Sequence, residues 1–202
     1  MTDSPMRDRR AERREATKLE ILDAAWELVR AEGLAVLTLR DLANKVGMQP
    51  PSLYSYFDSK HAIYDAMFLQ GNLELLRRYE AIADEGDDAR DSFRASARLL
   101  VGFTVEDPAR AQLMFMRTIP GFEPTPESYA VAVQIVDLGK KQFAKFGINP
   151  ECFDLWTGII SGLSFQQIAN EPGTDRWVRL VDEAVDMFFD HVSETNKKGR
   201  RK

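Results

Sequence analysis

The sequence predicts an all-α protein with a three-helix head and a larger helical body. Three observations carry that reading. Apolar residues recur at helical spacing along almost the whole chain, and no stretch alternates Val, Ile and Thr between hairpin turns. Pro120, Pro124, Pro126, Pro150 and Pro172 fall between the periodic segments, where helix breakers belong.

A first helix is expected over residues 17 to 32, with Ile21, Leu22, Ala25, Trp26, Leu28 and Val29 on its apolar side and Gly33 as its stop. Thr38 reads as the N-cap of a second helix, with Asp41 three residues on as the aspartate version of a capping box. Leu39, Leu42, Ala43 and Val46 share its buried face, and Gly47 can adopt the positive φ that ends it. The next run, GMQPPSLYSYF over residues 47 to 57, starts another helix at once. The first N–H groups of a helix have no partner inside it, so Pro50 and Pro51 lose nothing there. Proline also pushes Gln49 out of the α region, which suits an N-cap position. At roughly 100° per residue, Leu53 and Phe57 lie about 40° apart and define a core side. Tyr54 and Tyr56 fall on its two flanks, and Pro51, Ser52 and Ser55 point outward. Further helices are expected over 60 to 83, stopped by EGDD at 85 to 88, and then near 89 to 106, 108 to 117, 126 to 146, 151 to 170 and 175 to 193. The domain boundary is placed at residue 60, giving a head of 1 to 59 and a body of 60 to 202.

The chain of 202 residues is 44% hydrophobic and 29% charged, which suits a globular core. No apolar run approaches the roughly 20 residues needed to cross a bilayer, and no apolar segment follows the basic N-terminus as in a secretory signal. The single cysteine, Cys152, excludes an intrachain disulfide and agrees with a reducing compartment, so a cytoplasmic location is expected. His61 and His191 are far apart, and there is no HExxH, CxxC, GxSxG or Gly-rich phosphate loop. No enzyme chemistry, metal or cofactor is therefore expected.

A net charge of -5 argues against indiscriminate coating of nucleic acid, but the charge is segregated. Residues 1 to 60 hold ten Lys/Arg and ten Asp/Glu, residues 61 to 196 hold twelve against twenty-two, and the tail KKGRRK is wholly basic. Arg7, Arg9, Arg10, Arg13 and Arg14 read either as a flexible arm reaching for phosphates or as a solvated helix start. The outward face of the helix at Pro50 lacks the long charged residues that usually keep such a face wet. That makes sense if something approaches closely, and a helix of this width fits the DNA major groove. The tyrosine hydroxyls would then flank the groove, Lys60 would supply a phosphate cation, and Thr38 with Arg40 would meet the backbone from the preceding helix.

The run TLRDLANKVGMQPPSLYSYFDSKHAIYDAM, residues 38 to 67, resembles the helix-turn-helix and following helix of the tetracycline-repressor (TetR) family of bacterial transcription regulators. ILDAAWELVRAEG before it resembles that family's first helix, so the likeness covers about residues 15 to 70. The resemblance implies a homeodomain-like head, a body that dimerises, a palindromic double-stranded DNA operator and a small hydrophobic effector. Carried over by position, Gln49, Pro50, Pro51, Ser52, Tyr54 and Tyr56 are the expected major-groove residues. Thr38, Tyr54, Tyr56 and Lys60 are the expected phosphate contacts. The paired prolines lack the donors that many relatives place there, which shifts base readout toward Gln49, Ser52, Tyr54, the N-terminal arm and DNA shape.

In LWTGIISGLSFQQIAN, Gly158, Gly162 and Phe165 gather opposite Trp156, Ile160 and Gln167, and two glycines facing one way suit close helix approach. The last helix is apolar over more than one stripe and needs a second cover. Gly158, Gly162, Phe165, Leu180, Ala184 and Met187 are therefore the expected interface of a homodimer. Phe103, Met114, Phe115, Ile119, Phe122, Tyr129, Val133 and Trp156 are the expected lining of an effector pocket, since Met and aromatic side chains adapt to apolar ligands. The direction of regulation stays open at this level. An activator, a corepressor-dependent regulator and a constitutive DNA-binding dimer fit the same residues.

Overall fold

The computed structural model describes the backbone of residues 5–82 and 88–199, and the described residues are helical with no strand. Nine α-helices follow in order among them: α1 (Pro5–Glu32), α2 (Leu39–Lys45), α3 (Pro50–Leu53), α4 (Lys60–Ile82), α5 (Ala89–Glu106), α6 (Pro108–Phe115), α7 (Pro126–Lys145), α8 (Phe153–Asn170) and α9 (Val181–Gly199). Short 3-10 turns precede α2, α8 and α9. Residues 85 to 87 of the stop expected at 85 to 88, the side chain of Arg7 and the basic side chains of the tail lie outside the described residues.

Two differences from the sequence reading bear on function. The first helix begins at Pro5 and not near Thr17, so the arginine cluster is helical. Nothing in RRAERREATKLE breaks a helix, and Lys18 pairs with Glu15 one turn away at 3.1 Å. The helix expected to run on through Phe57 ends instead at Leu53. Beyond it the bonds tighten to the i to i+3 type, Tyr56 N–H donating to Leu53 O at 2.9 Å, and the Ser55 hydroxyl bends back to Ser52 O at 2.7 Å.

Capping follows local chemistry. Asp88, Asp107 and Thr125 accept the N–H groups of Asp91, Arg110 and Ser128 at the starts of α5, α6 and α7. At the end of α2, Met48 N–H reaches Ala43 O at 2.8 Å and Gly47 N–H reaches Asn44 O at 3.2 Å, with Gly47 at φ 68. This is a Schellman closure, and it needs the left-handed residue that glycine supplies.

Two hydrophobic cores result. The first joins Ile21, Val29, Leu42, Leu53 and Phe57 of the head to Ile63, Tyr64, Met67 and Phe68 of α4 and Leu113 of α6. The second packs Phe93, Phe143, Trp156 and Phe188 from α5, α7, α8 and α9. Phe93 is wholly buried, its ring centroid 5.0 Å from Trp156 and 5.2 Å from Phe143. Outside this core a ladder of ion pairs fastens α5 to α9. Arg90 reaches Asp190 at 2.7 Å and Asp186 at 2.9 Å, Arg94 reaches Asp186 at 2.7 Å, and Arg98 pairs with Asp182. Both sets repeat every four residues, so they face each other along antiparallel helices.

Candidate nucleic-acid interface and effector region

The α2–α3 unit presents a surface with little charge. Thr38, in extended conformation, accepts the Asp41 N–H at 3.1 Å, and its hydroxyl donates to Asp41 Oδ2 at 2.5 Å. The expected reciprocal capping box is thus a side-chain pair in part, because the hydroxyl proton goes to the carboxylate. Gln49 occupies the N-cap of α3 without a side-chain capping bond, which leaves its amide facing solvent. Leu53 and Phe57 are buried, while Pro51, Ser52 and Tyr54 are exposed, Tyr54 by 52%. Pro50 is half-buried.

Tyr56 differs from Tyr54. It packs partly into the first core, and the Arg14 guanidinium stands 5.1 Å from its ring centroid. Arg14 also donates to Ser55 O at 2.5 Å, so α1 holds the C-terminal end of the α3 segment in place. This contact spans 41 residues and no local pattern announces it. Arg9, Arg10 and Arg13 remain exposed on the same helix, and Arg40 is exposed on α2. Lys60 is half-buried in the first turn of α4, with Nζ 3.4 Å from Ala35 O and 5.4 Å from the Tyr64 ring. Tyr64 donates to Leu34 O at 2.5 Å, and burial pushes its phenol up to about 12.

Two contacts tie the head to the body, and a third ties α4 to α7 within the body. Arg30 pairs with the buried Asp107 carboxylate at 2.7 Å, and Trp26 Nε1–H donates to Gln70 Oε1 at 3.0 Å. Asp65 on α4 accepts from Thr125 N–H at 2.7 Å, from the Thr125 hydroxyl at 3.1 Å and from the Ser128 hydroxyl at 2.8 Å. It therefore supplements the N-cap of α7 from another helix. On α4, Gly71 leaves room for Met114 of α6, whose Sδ lies 2.6 Å from where a Cβ would stand.

Five of the eight residues expected around an effector line one open groove of about 580 Å³ between α4, the end of α6 and the start of α7: Met114, Phe115, Ile119, Phe122 and Tyr129. Phe68, Arg117 and Glu123 share it. The other three do not line it. Phe103 is buried under the Arg110 guanidinium, 3.6 Å from its centroid, and burial of that guanidinium holds its pKa below the ordinary arginine value. Trp156 belongs to the second core, 5.1 Å from Phe188, and Val133 points to solvent beside the groove. Residue type alone suggested these three, and the crossing of α5, α7 and α8 assigns them elsewhere.

On α8 and α9 the buried stripe is Trp156, Ile160 and Gln167 with Val181, Val185, Phe188 and Val192. Gln167 bridges to the loop before α9, its Oε1 accepting Trp177 N–H at 2.8 Å. The opposite side carries Gly158 and Gly162, both with open space where a Cβ would stand, and half-buried Phe165. Leu180, in the 3-10 turn before α9, and Ala184 on α9 are half-buried, and Met187 is 66% exposed.

Residues 21–67 match the family model of bacterial regulatory proteins of the tetR family. That match spans the second half of α1, α2, α3 and the start of α4. Over 88% of its length the chain is 27% identical to the HTH-type transcriptional regulator Rv1816 of Mycobacterium tuberculosis, covering 90% of that protein. Across 79 residues it is 38% identical to the HTH-type transcriptional repressor KstR2 of Rhodococcus jostii, covering 39% of this chain and 38% of KstR2. Its fold matches a TetR family regulator from Marinobacter aquaeolei with a TM-score of 0.67 at 20% identity, over 90% of this chain and 98% of the other. The regulator FadR of Bacillus subtilis, in complex with stearoyl-CoA, gives a TM-score of 0.69 at 16% identity, over 84% and 96%. The chain is a DNA-binding transcription regulator and not an enzyme. No helix among the described residues is long and apolar enough to cross a membrane.

Proposed function

We propose that this regulator is a homodimeric repressor that leaves a palindromic operator when a small apolar effector binds its body. The observation that carries the DNA part is the α3 face, where Gln49, Pro51, Ser52 and Tyr54 stand exposed with no long charged side chain among them. Small groups let the backbone come close to base edges in a major groove. On this reading residues 1 to 59 form the DNA-binding domain. Gln49, Pro50, Pro51, Ser52, Tyr54 and Tyr56 enter the groove, and Thr38, Arg40 and Lys60 meet phosphates. The body, 60 to 202, pairs through Gly158, Gly162, Phe165, Leu180, Ala184 and Met187, and two heads on a two-fold axis read half-sites about 10 bp apart. The likeness of 79 residues to KstR2, whose name is that of a repressor, supports the sign of the response.

The effector groove beside Met114 and Phe122 abuts α4 through Phe68 and Met114, next to the first core. A ligand there acts on the helix that carries the head, changing the spacing or tilt of the two recognition helices.

The test is selection of duplexes from a random pool at near-physiological salt with the purified protein and with Pro51→Arg and Tyr54→Ala. An enriched palindrome that both variants lose supports the assignment. Enrichment that survives both sinks the α3 interface. Sedimentation of Met187→Glu checks the pairing surface: a dimer that persists unchanged overturns it.

A further inference from the structure

The shortness of α3 poses a mechanical problem for readout. The helix is a single turn, Pro50–Leu53, and a turn of that length does not hold its own shape, because nucleating a helix fixes several dihedral angles for one hydrogen bond. Its bearing on DNA is therefore set from outside. Leu53 and Phe57 seat one side in the first core and fix how far the segment rolls. The far end, where Tyr54, Ser55 and Tyr56 run on past the last helical residue, needs a restraint of its own.

Arg14 supplies it. Its Nη2 donates at 2.5 Å to Ser55 O, a carbonyl to which no backbone N–H of the described residues donates. The same guanidinium stands 5.1 Å from the centroid of the Tyr56 ring. One planar fork thus serves a main-chain acceptor and an aromatic face together, which a compact ammonium on a shorter stem does not reproduce. The Ser55 hydroxyl passes the restraint on, donating to Ser52 O at 2.7 Å. Two residues proposed for the major groove are therefore held from α1, Tyr56 by direct contact and Ser52 through Ser55.

We propose that Arg14 is a positioning residue for sequence readout, setting the tilt of the recognition turn through Ser55 and Tyr56. Discrimination between operators then depends on a side chain that touches no base. The inference rests on the α3 face being the DNA interface. It also separates Arg14 from the cations that meet phosphates, because its guanidinium is already committed within the protein. Loss of Arg14 lets the turn tilt, which misplaces the groups facing base edges while leaving the phosphate contacts of Thr38, Arg40 and Lys60 in place.

The test compares affinity of the full-length protein for the selected operator with affinity for a duplex carrying one changed base pair per half-site. Anisotropy is read at several salt concentrations for wild type, Arg14→Ala, Arg14→Lys and Tyr54→Ala, with circular dichroism melts to confirm folding. In Arg14→Ala the ratio of the two affinities should fall by about tenfold, on the order of one good base contact, while the salt lines stay parallel to wild type. Arg14→Lys keeps the charge and should recover little of the ratio, and it carries the test alone if the alanine variant does not fold. A salt slope shallower by about 1.8 makes Arg14 a phosphate contact and overturns the proposal. So does an unchanged ratio with a lowered melting temperature, which leaves Arg14 a stabilising residue only, and so does full recovery in Arg14→Lys, which leaves charge as the whole effect. Tyr54→Ala separates the two levels of failure. If it lowers the ratio and Arg14→Ala does not, the positioning role alone falls; if neither lowers it, the α3 interface falls and this inference with it.

Discussion

Lys60 offers the sharpest division between a DNA contact and a structural residue. In the free protein its ammonium lies 3.4 Å from Ala35 O, near the long limit of a hydrogen bond, and 5.4 Å from the Tyr64 ring. It is held lightly, and a short swing of its stem frees it for a phosphate. Each phosphate neutralised on duplex DNA contributes about 0.9 to the slope of log Kobs against log salt. A dimer carries Lys60 twice, so Lys60→Ala should make the slope shallower by about 1.8. Between about 50 and about 200 mM salt, the ratio of wild-type to variant affinity should therefore shrink by about twelvefold. If Lys60 only packs on Tyr64, the variant loses about 0.5–1 kcal/mol of fold stability and the salt lines stay parallel. Fluorescence anisotropy on the selected operator at three or more salt concentrations separates the two, with thermal melts run alongside. Parallel lines would falsify the phosphate assignment, whatever happens to the absolute affinity.

Other outcomes follow from contacts within the body. Asp65→Ala removes the acceptor of three hydrogen bonds at the start of α7 and should cost about 2 kcal/mol in urea unfolding, with Asp65→Asn recovering most of it. A cost near zero means that Thr125 caps α7 alone. Phe93→Ala empties the centre of the second core and should cost about 3–5 kcal/mol by the same measurement. Glu74, bonded by Arg77 and then Arg78, has its carboxyl lowered from 4.5 to about 2. Its folded value lies below its unfolded one, so its stabilisation is complete above pH 4.5 and is lost as the pH falls toward 2. Unfolding midpoints of wild type should drop more steeply over that window than those of Glu74→Gln. Asp186, lowered first by its bond from Arg90, adds loss of the same sign.

Much of the fold was legible because it rests on local rules. Leu53 and Phe57 follow from a 100° step, Gly47 from the need for a positive φ, and Thr38 from the N–H groups left over at a helix start. The candidate DNA face was legible for the same reason, since a short helix between Gly47 and Phe57 has only one way to expose Pro51 and Ser52. What escaped depends on where helices cross. Phe103 and Tyr129 look equally suited to a pocket by residue type, yet Arg110 folds over one and leaves the other 55% exposed. Arg14 reads as one of five clustered arginines until its bond to Ser55 is seen. The α5–α9 ladder was the one long-range feature with a sequence signal, arginines and aspartates each repeating every four residues, although the repeat alone does not say that the two helices are neighbours.

The proposed response also requires a body-bound ligand to be felt some distance away, and α4 supplies the mechanical reason. Tyr64 stands in the head's core near one end of α4, and Tyr79 lines a body cavity near the other. Fifteen residues of helix separate them, about 22 Å at 1.5 Å per residue. A continuous α-helix transmits displacement along that length, because bending it would break its own hydrogen bonds. The ends are not free to slide independently, since Tyr64 is buried against Leu34 O and Asp65 is fixed to α7. A ligand that shifts α7 against α4 must therefore either break the Asp65 bonds or carry the head along. Three hydrogen bonds to one carboxylate, two of them shorter than 2.9 Å, make carrying the head the less costly outcome.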